Sequence, residues 1–507
     1  MKQKNIILLS TFLLILLSFI LAITACSNNS INRIEKKDSA DSDQTIETTT
    51  EDEGVDAKGF IRDNIPDDLN FNGQQVKILY WEDVRKPEFY IEEAIGEIVN
   101  DAVYERRLAV ESRLGVGLAF TGTPGNYDNQ QNFVATAQND ILAGTGDYDI
   151  IAGYSMAIAT LAYKRCTLNL LDYDIIDFDM PWWPDSLIKE ARIGDCLYFA
   201  SGDISPKLLY QMYGIFFNKN MIQSYRIENP YDLVSAGKWT IDKMIAMTKG
   251  IYLDLNGDLT ADGDDRFGFI SYPVYYDPFY FSAGFRYVDR DEDDIPTISP
   301  RMNGEGLAAL VTKLCDFIHN SPDTYGNEPA TNEGEVICST IFQTGRGMFI
   351  SQNLSYAEDF LRNADFEYGV VPHPKYTEEQ SNYSACAGFA YTLYGISTAS
   401  KIPDAAAAVL ETLASEGYRR VTPAVFETAM KVKYSNDEES AWMYDIIREG
   451  VTFDLGRIFT ASFNDQTYGM FRSSLQTNNA NWVSTFEKNE RVLKKNLASI
   501  VDAFMEE

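Results

Sequence analysis

Along residues 73–155 the apolar positions switch repeatedly between a period of two and a period near 3.6. Val76-Lys77-Ile78-Leu79-Tyr80-Trp81 reads as a strand, and Ile91, Ile95, Ile98, Ala102 and Ala109 recur at helical spacing over 91–113. Gly115 stops that helix and Val116–Phe120 begins a second strand. Phe133, Ala137 and Ile141 mark a second helix ending near Gly144, and Asp149-Ile150-Ile151-Ala152 is a third strand. Strands alternating with helices predict an α/β fold with a parallel sheet covered on both faces. Such sheets bind ligands beyond the carboxyl ends of their strands. Those ends are Tyr80-Trp81-Glu82 and Gly153-Tyr154-Ser155. Further on, 194–199 and 214–218 read as strands, and 238–250, 307–319, 403–416 and 482–505 as helices.

The first residues follow a different plan. Lys2 and Lys4 precede an apolar run from Ile6 to Ile23, the layout of a secretory signal. Ile23-Thr24-Ala25-Cys26 resembles the bacterial lipobox, which implies a signal peptide over 1–25 and a diacylglyceryl thioether on Cys26. Residues 27–58 are polar, acidic and nearly free of large apolar side chains, so they cannot bury enough surface to order themselves. The expectation is an acidic, disordered tether over 26–72 that holds a body at the extracellular face of the membrane.

Charge then removes several functions. The 507-residue chain carries 43 Lys and Arg against 75 Asp and Glu, a formal charge of −32, which excludes a basic nucleic-acid footprint. With only His319 and His373, a histidine-rich metal centre or triad has few candidates. Cys166, Cys196, Cys315, Cys338 and Cys386 include no CxxC pair, and both disulfides and buried free thiols stay open. Gly237-Lys238-Trp239-Thr240 fails as a phosphate loop because Trp239 separates Lys from Thr. Gly153-Tyr154-Ser155-Met156-Ala157 lacks the second glycine of a nucleophile elbow. No catalytic constellation stands out.

One acidic stretch does have metal-ligand spacing. Asp254, Asn256, Asp258, Asp262 and Asp265 fall at positions 1, 3, 5, 9 and 12 of a calcium loop, with the Thr260 carbonyl at position 7. Leu259 stands at position 6 in place of glycine, and Asp265 is shorter than the usual closing Glu. The expected cofactor is a structural Ca2+.

Several segments in order carry a wider resemblance: Asp147-Tyr148-Asp149-Ile150-Ile151, Gly214–Lys219, Asn229-Pro230-Tyr231-Asp232-Leu233 leading to Lys238–Met244, Phe342–Phe349, and Gly388-Phe389-Ala390 to Ser397. Over about residues 73–507 the chain resembles an extracellular solute-binding protein of an ABC importer, family 1, the group that includes maltodextrin- and oligosaccharide-binding proteins. The resemblance implies a two-lobe, periplasmic-binding-protein-like (type II) fold with three hinge crossings, placed near Asp203, Ser351 and Gly395. It assigns 73–203 with 352–395 to the N-terminal lobe and 204–351 with 396–507 to the C-terminal lobe. It also implies no enzymatic chemistry, a calcium loop as in some oligosaccharide-binding members, and delivery of an oligosaccharide to ABC permease subunits. Aromatic residues are 13% of the chain, and rings offer flat apolar area to sugar faces. The candidate ligand contacts are Tyr80, Trp81, Glu82, Tyr154, Trp182, Trp183, Asp203, Tyr210, Tyr213, Tyr275 and Tyr276. A surface glycoside hydrolase or lyase, and a receptor feeding a sensor kinase, are the alternatives.

Overall fold

The first sheet forms where the apolar periodicity places it. In the computed structural model, which describes residues 55, 59–85, 88–326, 328–426 and 438–505, β1 (Gln74–Trp81) pairs in parallel with β2 (Val116–Thr123) and β3 (Ile150–Tyr154). Helix α1 (Ile98–Leu114) joins β1 to β2, α2 (Gln130–Ala143) joins β2 to β3, and α3 (Ser155–Tyr163) follows β3 directly. Helix α1 starts later than its apolar spacing predicts. The Asp101 carboxylate accepts the amides of Ile95 and Gly96 at 2.8 and 3.0 Å and turns the chain there. Gly96 adopts φ +85, which an L side chain resists, so the turn ends the irregular approach.

After a first crossing the chain builds the second sheet from β4 (Tyr213–Asn218), β5 (Phe267–Ile270), β8 (Thr324–Tyr325), β9 (Gly347–Asn353) and β10 (Tyr368–Val371), in the order β10-β4-β9-β5-β8. The hairpin β6 (Val288–Arg290) with β7 (Pro296–Ile298) stands outside it. The chain then lays down β11 (Ala385–Cys386) and returns to the first sheet with β12 (Thr392–Ile396), antiparallel to β3. Helix α4 (Pro403–Glu416) packs on α1 and β12, α5 (Glu438–Glu449) packs on β10, and β13 (Val451–Thr452) pairs with β11. Helices α6 (Gln466–Gln476) and α7 (Trp482–Met505) complete the chain. Among the described residues, 201–212 and 372–391 cross between the lobes, and the chain passes from α4 in the first to α5 in the second.

The predicted boundaries need correction. Ser351 lies inside β9 and Gly395 inside β12, so neither is a crossing. Residues 368–371 belong to the second sheet, because β10 pairs antiparallel with β4, and α4 belongs with the first. Strands buried on both faces read as unbroken apolar runs and give no sign of which sheet they enter. The segment 194–199 is no strand; a turn at Gly194 leaves only the bridges Ile193–Cys196 and Ala200–Tyr394. Residues 59–72, grouped above with the tether, are folded. Arg113 grips the buried Asp63 carboxylate with two bonds of 2.6 Å, and Arg419 and Ser415 add 3.2 and 2.8 Å contacts. Cys26 and most of the tether lie outside the described residues.

Helix α7 ties the lobes together lengthwise. Its 24 residues span about 36 Å at 1.5 Å per residue. Trp482 Nε1 donates to the Met302 carbonyl at 2.6 Å at one end. At the other, Phe504 packs edge-on to Tyr198 at 4.8 Å and the Ala503 carbonyl accepts from Arg165 Nε at 2.7 Å.

Trp182 and Trp183 both point away from solvent, their indole N–H groups donating at 2.9 Å to the two oxygens of Glu411 on α4. Burial pushes the Glu411 carboxyl from 4.5 up to about 8, outweighing the two indole bonds that favour its charge. The folded state thus keeps a proton that the unfolded chain releases. Stability from this group is fully present below pH 4.5 and is lost as pH rises towards 8. We expect Tm to fall between pH 5 and pH 8 more shallowly in Glu411→Gln than in the wild type, by scanning calorimetry; equal slopes would contradict this assignment.

Candidate functional site

The carboxyl ends of β1 and β3 face the start of β4 and the ends of β5 and β9. Trp81 is buried at the end of β1, where its Nε1–H donates to Thr392 Oγ1 at 2.8 Å. That bond fixes the indole beneath Tyr154, which meets it edge-on with centroids 5.6 Å apart. In the other lobe Tyr213, the first residue of β4, meets Tyr275 edge-on at 5.8 Å.

Between these pairs lies a cluster of buried charge. Asp277 opens the short helix Asp277–Ser282 that follows β5. Its Oδ2 accepts from Arg457 at 2.8 Å and from Arg472 at 2.6 Å, and its Oδ1 accepts from Arg472 Nε at 3.1 Å. Arg457 also donates to the Ala387 carbonyl at 3.0 Å and stacks on Phe389, 3.8 Å from the ring centroid. Arg472 stacks on Tyr468 at 4.3 Å. Asp454 caps the turn Leu455–Ile458 through its Oδ1, which accepts the Arg457 amide at 3.0 Å and so aims that side chain. Two guanidinium groups share one carboxylate, and this trio carries one surplus positive charge.

Electrostatics link the two sides. Burial raises the Tyr154 hydroxyl well above its ordinary value, and Tyr213, Tyr468 and Tyr127 push the same way while Arg457 opposes them. Burial likewise raises Tyr213, Tyr391 and Tyr468, and pushes Tyr272 up to about 12. These hydroxyls stay protonated at physiological pH, each able to donate and accept. The arrangement gathers aromatic rings, neutral hydroxyls and paired guanidinium groups at the junction of the two sheets, with Trp81, Tyr154, Tyr213 and Tyr275 all buried. It is poorly equipped for proton transfer. Asp277 is engaged by both arginines, the Ser155 hydroxyl is spent on the Phe389 carbonyl at 2.6 Å, and burial pushes the Cys386 thiol up to about 12. His373 is buried in the second lobe, held neutral by a value near 3, with Nε2 3.2 Å from Ser351 Oγ.

Of the sequence candidates, Trp81, Tyr154, Tyr213 and Tyr275 come together here. Glu82 is exposed beyond the end of β1, and Tyr80 packs on Phe89 and Phe120. Trp182 and Trp183 hold Glu411 and offer no free indole N–H to a ligand. Tyr276 is core, donating to the Gly326 carbonyl. Tyr210 is buried in the first crossing, as is Asp203, which pairs with Thr422 and Arg448. Sequence reasoning missed Asp277, Phe389, Arg457, Tyr468 and Arg472. The available signal was an arginine inside an apolar run, as in Leu455-Gly456-Arg457-Ile458-Phe459 and Met470-Phe471-Arg472.

The acidic loop turns as a calcium loop would at its sixth position, where Leu259 takes φ +64 and is 92% exposed. Asp254 accepts the amides of Gly257 and Leu259 at 2.6 and 3.0 Å, and Asp258 accepts that of Thr260 at 2.7 Å. Asn256 and Asp262 make the same short turns, to Asp258 and Asp264. Asp265 is buried and turned to the Leu255 amide and the Tyr252 hydroxyl, at 2.9 and 3.1 Å. Among the described residues no three of His, Cys, Asp and Glu are grouped to hold a metal ion. The five described cysteines are free thiols.

No family model and no curated protein matches the chain. Solved structures do. The chain is similar to the cyclic alpha-maltosyl-1,6-maltose binding protein of Arthrobacter globiformis, with TM-score 0.57 and 14% identity over 84% of this chain and 99% of that one. It is also similar to a cyclo/maltodextrin-binding protein complexed with maltotetraose, with TM-score 0.55 and 12% identity over 83% and 97%. The GacH receptor of Streptomyces glaucescens, solved unliganded and with acarbose, matches with TM-score 0.53 and 14% identity over 83% and 99%. At this identity the likeness establishes the fold: two α/β lobes of the maltose-binding-protein kind.

Proposed function

We propose that this protein is a lipid-anchored, extracellular solute receptor of an ABC importer that clamps an oligosaccharide between its lobes and passes it unaltered to a permease. The observation that carries the reading is the cleft itself. Tyrosines from both sheets converge there, with Arg457 and Arg472 stacked on rings and paired to Asp277, and Tyr275 donating to Glu335. Rings suit the apolar faces of a sugar, and neutral hydroxyls and guanidinium groups suit its hydroxyl rim. The structural neighbours are named for cyclic maltosyl-maltose and cyclo/maltodextrin or were solved with acarbose, which supports a glucan-like guest. The crossings supply the hinge, and a guest that touches both lobes favours the closed form by its differential affinity. Cys26 attaches the chain to the membrane in this reading, so Cys26→Ser would move the protein from the membrane fraction to the medium.

Titration calorimetry and thermal shift against maltotriose and maltotetraose test the sugar reading. At a hundredfold excess over Kd, sugar would stabilise the protein by about 2.7 kcal/mol. Tyr468→Ala would weaken binding about tenfold through loss of a stacked ring. Stabilisation by a peptide with no response to any oligosaccharide would overturn it.

In this reading calcium draws together Asp254, Asp258 and Asp262, which are not grouped in the described structure but keep lone pairs beyond those used by backbone amides, while Asp265 stays turned to Leu255 and Tyr252. Calcium titration should show one site in the wild type and none in Asp254→Ala. Identical heats in both proteins would remove the loop from the account.

A further inference from the structure

The two residues of β13 face opposite ways, as neighbours in a strand do. Thr452 lines a gap of about 10 Å³ shared with Ser155, Phe389 and Arg457 on the cleft side. Val451 lines a separate cavity of about 360 Å³, a size ordinary for small-molecule sites. Its apolar lining is Pro181, Pro184 and Val451 with Leu208, Leu209 and Met212 of the first crossing. Its polar element is Asp203, only 7% exposed. Both Asp203 contacts, from the Thr422 hydroxyl and from Arg448 Nη2 at 3.4 Å, fall on Oδ1. Oδ2 has no partner among the described residues, although its side chain lines the cavity. Asp185 and Glu449 add carboxylates at the rim, Asp185 bridged to Lys189 at 2.7 Å, against the single guanidinium of Arg448.

We propose that this cavity is a second binding site, for a small organic ammonium with an apolar body. The ammonium donates to Asp203 Oδ2, and the body lies along Leu208, Leu209, Met212 and Val451. The surplus of carboxylates disfavours an anion. Among the described residues no aromatic ring lines the cavity, so the feature that suits the cleft to a sugar is missing here. The hinge consequence rests on the proposed function: the cavity is walled by the first crossing and by Val451, the neighbour of Thr452 that faces the other way, so an occupant wedged against the crossing resists reopening of the lobes. It then tightens sugar binding, and sugar tightens its own binding by the same factor.

The test uses the full chain with 13C-methyl-labelled methionine, benzylammonium as probe and benzyl alcohol as the uncharged control, with the Met212 signal assigned through Met212→Leu. The expected result is a saturable Met212 shift with benzylammonium and binding at least about tenfold weaker for the alcohol, the effect of losing a charge-assisted bond. Asp203→Asn should lose a similar factor. Glu449→Gln, at an exposed position, should fold normally and weaken binding a few-fold. A Met212 signal indifferent to benzylammonium, or equally responsive to the alcohol, overturns the site. Maltotetraose affinity measured with and without benzylammonium tests the coupling, and unchanged affinity overturns it. Absence of any sugar binding would instead count against the proposed function and leave the Met212 result standing.

Discussion

The Arg457–Asp277–Arg472 trio is the constraint around which the cleft is arranged. Three charges taken out of water are expensive, and their mutual attraction offsets that cost only where geometry is good and the remaining donors are used. Here the geometry supplies three bonds to one carboxylate, a carbonyl from the second crossing and two aromatic faces. The trio therefore fixes relative positions: the helix after β5, the second crossing at Ala387 and Phe389, and α6 cannot shift independently. Removing one partner would leave an uncompensated buried charge, typically 3–5 kcal/mol. The same rigidity holds Phe389 and Tyr468 in place against the two guanidinium groups.

Around that fixed point the lobes remain connected by the crossings and by α7. A helix that touches the second lobe at Trp482 and the first at Phe504 and Arg165 limits the modes of opening to those that pivot near its ends. The movement left is a hinge at the crossings.

Much of this architecture was legible from the chain. The alternation of Val76–Trp81 with the helical spacing after it predicts the parallel β1–β2–β3 core, and helices 403–416 and 482–505 match the structure to the residue. What was not legible has a common cause. The wholly buried runs Tyr368–Val371 and Thr392–Ile396 carry no period, so their assignment to different sheets depends on pairing across more than a hundred residues. Site residues divide in the same way. Tyr154 and Trp81 sit at strand ends that alternation exposes, whereas Arg457, Arg472 and Asp277 become a unit only through long-range contacts. Aromatic content could not separate Trp182 and Trp183, committed to a buried glutamate, from rings that line a cleft.

The most direct test of the central claim, that two lobes hinge shut on an unaltered guest, is small-angle X-ray scattering of residues 59–507 with and without saturating oligosaccharide. Closure predicts a smaller radius of gyration with bound sugar and recovery of intact sugar afterwards. An unchanged radius at full saturation, or a cleaved sugar, would contradict it.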